Sequence, residues 1–145
     1  MILGNSKEGP HGREATGEAV VAAGSGRFRV WGQAWATGDG VVLGLFGGER
    51  AHVGSVVMGV PRPSLLDPDV VSCTSSVLNL PGHKEEELLR PLVEEAVRRL
   101  RQPVVGVAGI HIEAATAEDL AILCTNARAV FQGLLVRLEA NRPPW

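Results

Sequence analysis

The apolar residues of this chain change their period once, and that change constrains the fold more than any single motif does. Up to Leu80 they come in short runs broken by glycine or proline, and from Glu85 onward most recur at helical spacing. Ala19-Val20-Val21-Ala22, Arg27-Phe28-Arg29-Val30-Trp31, Val41 to Phe46, His52 to Val60 and Val70 to Leu80 read as strands. Gly38-Asp39-Gly40 and Gly47-Gly48-Glu49-Arg50 supply residues tolerant of positive φ, so the strands flanking each are expected to pair as antiparallel hairpins. Pro61-Arg62-Pro63-Ser64 is expected to end the fourth strand, because proline has no N–H to give a ladder.

Beyond Leu80, Glu85-Glu86-Glu87 places negative charge where a helix start favours it, and Arg98, Arg99 and Arg101 place positive charge at its end. Leu88, Leu89, Leu92, Val93, Ala96, Val97 and Leu100 share one face of that helix. Pro103 to Ile110 is almost wholly apolar, which predicts a central strand covered on both sides. Thr116, with Asp119 three positions on, forms a capping box for a second helix, whose stripe is Leu120, Leu123, Ala127, Val130, Phe131, Leu134, Leu135 and Leu138. Asn141-Arg142-Pro143-Pro144 is expected to terminate it. The order predicts an α+β fold: a mixed, mostly antiparallel sheet of about six strands with two main helices packed on it.

At 145 residues with 45% hydrophobic content, one domain with a sizeable core is expected. Its limits are drawn at 18–140, with a flexible leader over 1–17 and a short tail over 141–145. A net charge of -2 and a pI of about 6.1 give no basic surplus for nucleic acid or an anionic membrane surface. No continuous apolar run approaches the roughly 18 to 20 residues of a spanning helix, and Met1 to Gly17 lacks the apolar centre of a secretory signal. Cys73 and Cys124, both in apolar sequence, are expected to be reduced thiols, which makes a cytoplasmic location the expectation.

Polar groups are expected to gather at one end of the sheet. A strand, a helix and another strand in the same sheet normally form a crossover with the strands parallel, so the ends at Leu80 and Ile110 point the same way. His83 and His111 then share an edge, and the start of the strand carrying His52 joins them if it runs antiparallel to the strand ending at Leu80. Pro81-Gly82-His83-Lys84 sits at a helix start, where free amides and a lysine suit an anion such as phosphate. Glu113 follows His111 by two positions and projects to the same side if the strand continues, and Ser75 and Ser76 offer hydroxyls. Arg62 is a further phosphate candidate from a loop between prolines. Each of these residues alone is commonplace in proteins without a ligand. Their convergence is what would give them meaning. Neither a P-loop nor a dinucleotide fingerprint nor a nucleophile elbow is present.

His52-Val53-Gly54-Ser55-Val56, Ser75 to Lys84 and Val107-Ala108-Gly109-Ile110-His111-Ile112 resemble the prenylated-flavin chaperone family associated with gallate-type decarboxylases, a family similar in fold to proteasome assembly chaperones. The likeness runs from about Val41 to Leu138, with Leu-Pro-Gly-His-Lys and Gly-Ile-His its most specific segments. It implies a non-catalytic carrier that binds prenylated FMN or FMN and delivers it to a UbiD-type decarboxylase, and a small sheet with open edges leads us to expect a homodimer. On the matching positions it implies contact with the cofactor from His52, Ser55, Arg62, Ser75, Ser76, Pro81, Gly82, His83, Lys84, His111 and Glu113. Two alternatives stand beside this: an assembly chaperone with no small ligand, and a metal-dependent enzyme in which His52, His83 and His111 hold a divalent ion and Glu113 is general base.

Overall fold

A computed structural model describes residues 18–141; the expected leader, with His11, and the proline-ended tail beyond Asn141 lie outside the described residues. Six strands, β1 (Glu18–Ala23), β2 (Val30–Ala36), β3 (Val41–Gly48), β4 (Arg50–Pro63), β5 (Val71–Asn79) and β6 (Val104–His111), form one sheet. Helix α1 (Glu86–Leu100) links β5 to β6, and α2 (Ala117–Ala140) follows β6. Strand order is β1-β2-β3-β6-β4-β5, antiparallel throughout except for β3 with β6. This is the α+β, mixed-sheet architecture that the change of period predicts.

The expected hairpin at Gly38-Asp39-Gly40 joins β2 to β3. The one at Gly47-Gly48-Glu49-Arg50 does not form, because β6 lies between β3 and β4. The chain instead steps around the end of β6: Gly48 (φ 74°) crosses so close to His111 that a Cβ would stand 2.3 Å from its carbonyl oxygen, and Glu49 N donates to that oxygen at 2.7 Å. Only glycine fits a crossing that combines positive φ with backbone contact. A second departure is at Arg27 and Phe28, which form a short turn (Gly26–Phe28) ahead of β2 rather than its first residues. The fourth strand ends within Pro61-Arg62-Pro63-Ser64 as expected, at Pro63, but Pro61 lies inside it; Pro61 pairs with Cys73 of β5 and Pro63 with Val71. They are tolerated because β4 overhangs β6 beyond Gly59 and has no second neighbour there to receive an N–H.

Both helices lie on one face. A Cβ at Gly106 would stand 2.6 Å from Val93 of α1 and one at Gly32 would stand 2.6 Å from Val130 of α2, while Ala34, Leu43 and Gly106 follow one another across β2, β3 and β6. Leu89, Val93, Val97 and Leu100 from α1 and Val130, Phe131 and Leu134 from α2 close over Leu43, Leu45, Val57 and Val104. The capping box at Thr116 is present, Asp119 N donating to Thr116 Oγ1 and Thr116 N to the Asp119 carboxylate. By length and mean hydropathy α2 alone meets the requirements of a membrane span, although the sequence shows no unbroken apolar run; here it rests on β1 and β2 through its buried stripe.

Among the described residues the opposite face of the sheet carries no helix, so β6 is central but, within them, not covered on both sides as expected. Trp35, Val42, Val105 and Met58 form one cross-strand row on it, and Val107, Val56 and Leu78 a second. Trp31 packs on Phe46 there, with ring centroids 5.0 Å apart. Leu78 is 74% exposed and Met58 47%, an unusual amount of apolar surface for a sheet face that meets only water.

Candidate functional site

β4 runs antiparallel to both β5 and β6, so the ends of β5 and β6 and the start of β4 meet at one end of the sheet. His83, in the turn after β5, His111, closing β6, and His52, near the start of β4, therefore converge. The His52 and His83 rings lie 4.8 Å apart by centroid, with His52 Nε2 3.1 Å from His83 Nδ1, and the His52 and His111 rings lie 6.3 Å apart, edge to face.

His52 stands on a β-bulge. Ala51 faces Ile110 and Ser55 faces Ala108, so four steps along β4 match two along β6. Such an irregularity re-aims a side chain out of the pleat. Two glycines make room for it. A Cβ at Gly109 would fall 1.5 Å from the His52 carbonyl oxygen, and a Cβ at Gly54 would fall 2.7 Å from the Glu85 carboxylate. Leu80 N donates to Gly54 O at 2.9 Å, which pins the end of β5 to the bulge.

Glu85, which the sequence suggests is simple helix-start charge, belongs to this cluster. It occupies the N-cap of α1 in a helical conformation (φ -60°, ψ -18°) without capping the helix through its side chain. The carboxylate turns instead to the histidines, with Oε1 2.8 Å from His52 Nε2 and 3.6 Å from His83 Nδ1. Glu85 Oε2 is buried with no hydrogen-bond partner among the described residues. His52 Nδ1 lies 3.2 Å from Arg50 O, and a carbonyl there requires that nitrogen to be the donor. His111 turns the other way, its Nε2 3.1 Å from Oε2 of the exposed Glu113. Among the described residues, the group able to ligate one ion is thus His52, His83 and Glu85, and not the expected set of His52, His83 and His111.

Pro81, Gly82 and Lys84 are exposed beside His83, and Gly82 (φ 77°) turns in open space. Glu86 and Glu87 occupy the first turn of α1, so positive charge for an anion here comes from Lys84 and the imidazoles more than from the helix end. Val53 and Leu80, 55% and 47% exposed, add apolar surface at the same end.

The remaining candidates stand elsewhere. Ser55 is fully buried on the helix side and donates to Asn79 Oδ1. Ser75, opposite Gly59, donates to the Glu94 carboxylate, which that bond, backed by Arg90, holds below the usual carboxylate range. Ser76 stands on the open face opposite Met58. Arg62 binds Thr74 Oγ1 and Pro63 O at the far end of β4, about 30 Å along the strand from His52. The space beside Gly54 and Gly109 is taken up by the fold itself, by the Glu85 carboxylate at the one and the bulge at the other.

Residues 24–139 match the family model described as "Prenylated flavin chaperone LpdD-like domain". No curated protein matches the chain. Among solved structures, one described as "Crystal Structure of a Novel Chaperone Complex for Yeast 20S Proteasome Assembly" is similar, with a TM-score of 0.52 and 10% identity over 86% of this chain and 97% of that one. At that identity the likeness is one of fold.

Proposed function

This chain belongs to the prenylated flavin chaperone LpdD-like family, and from that premise we propose that it binds prenylated FMN at the histidine end of its sheet and hands it to a UbiD-type decarboxylase. The family is one of chaperone domains, not of enzymes. Cargo of this kind carries an anionic phosphate and a flat ring system. What the chain offers in return is the convergence of His52, His83 and His111 beside Lys84, and this is the observation that carries the reading. Lys84, His83 and the exposed Gly82 turn would take the phosphate. Val53 and Leu80 would meet the ring edge. His111, held by Glu113, would close the polar side. The site lies at the surface, as a carrier that must release its load requires.

Retention of prenylated FMN by the purified protein through a desalting step, read by the cofactor's visible absorption, tests this. The intact protein is expected to keep the cofactor, and Lys84→Ala with His83→Ala is expected to lose most of it. A wild-type protein that keeps none, with the cofactor intact, would overturn the reading.

A second element of the proposal concerns assembly. The helix-free face of the sheet is read as the surface on which a second copy packs, giving a cytoplasmic homodimer whose two rims remain free.

A further inference from the structure

We infer that His52, His83 and Glu85 form a binding site for one divalent transition-metal ion of the zinc class. Three observations carry it. The first is spacing. Tetrahedral coordination with bonds of about 2.0–2.1 Å separates ligand atoms by about 3.3 Å. The three ligand atoms here, His52 Nε2, His83 Nδ1 and Glu85 Oε1, stand 3.1, 2.8 and 3.6 Å apart.

The second is orientation. His52 Nδ1 lies within donating distance of Arg50 O, and the ring points Nε2 at the Glu85 carboxylate and at a second imidazole nitrogen. An imidazole whose other nitrogen donates to a backbone carbonyl is the arrangement in which histidine ordinarily ligates a metal.

The third is the orphan. Among the described residues Glu85 Oε2 is buried without a donor, at a cost that natural proteins seldom leave unmet. A cation at the centre of the triangle balances the carboxylate as a whole. The local chain is shaped for it as well: Gly54 clears the space that the carboxylate fills, Gly109 admits the bulge that carries His52, and Glu85 gives up its capping role.

Two nitrogens and one carboxylate are the donor set of zinc sites that leave a position open. Only in its use of that position does the inference rest on the flavin reading: an oxyanion such as the cofactor phosphate would complete the coordination.

The test needs no flavin. Metal-stripped protein is titrated with Zn2+ against a chromophoric chelator, and with Co2+, whose visible bands report coordination number and ligand type. Wild type is expected to take up one equivalent, with Co2+ bands of a four- or five-coordinate site. Glu85→Gln, which keeps the shape of the side chain, and His83→Ala are each expected to weaken uptake at least about tenfold. Glu86→Gln, one residue along and outside the triangle, is expected to change nothing. Far-UV circular dichroism of each variant separates loss of the site from loss of fold. Absence of stoichiometric uptake by wild type, or uptake equal in the folded Glu85→Gln protein, would overturn the inference and leave the flavin proposal standing.

Discussion

Gly109 sits in β6 with the His52 carbonyl where its side chain would be. Its role is to admit the bulge. Gly109→Ala forces β4 away from β6 just where His52 is aimed, so it should cost about 1–3 kcal/mol of stability or more and cut prenylated-FMN retention with it. Gly82→Ala is the comparison, because there only the positive φ resists a side chain and the space is open. Denaturant unfolding of the two variants checks this, and a Gly109→Ala protein as stable as wild type would contradict the packing described. At this scale the sequence is only partly legible. The three histidines are found from strand direction, but Glu85 is missed, because acidic residues at a helix start have a sufficient ordinary explanation. The signal available was position: Glu85 follows His83 by two residues in the same turn, and Gly54 follows His52 by two.

Elements are more legible than their neighbours in the sheet. Both helices follow from apolar spacing and charge placement, and each strand from its run of apolar and β-branched residues. Pairing follows from sequence only where the turn decides it. Gly38-Asp39-Gly40 does so for β2 and β3, whereas the four residues after Phe46 look equally like a hairpin and in fact pass around a strand that begins only at Val104. That insertion is a non-local event, won by burying β6 between two neighbours, and no local signal announces it. The prolines of β4 follow the same logic: past β6 the strand overhangs, so it carries Pro61 and runs on to end at Pro63. The parallel direction of β5 and β6 survives the intervening β4, because two antiparallel pairings restore it. The prediction of a shared rim depends on nothing else.

For the whole molecule, both helices lie on one face, and the other presents Trp35, Met58, Val60 and Leu78 to solvent. A sheet of six strands buried on one side only is half of a sandwich. Sedimentation should therefore give twice the 15.3 kDa chain mass, and Met58→Asp should give the single-chain mass without loss of secondary structure. A wild-type monomer at working concentration would contradict the dimer. The account as a whole turns on the histidine end of the sheet being where the cofactor sits. The most direct measurement is an NMR titration of the full chain, with histidine rings and tryptophan indoles observed together as prenylated FMN is added. The account predicts saturable shifts of three of the four histidine rings, those of His52, His83 and His111, with the indoles of Trp31 and Trp35 little changed. Saturable binding that moves the indoles and leaves those imidazoles in place would contradict it.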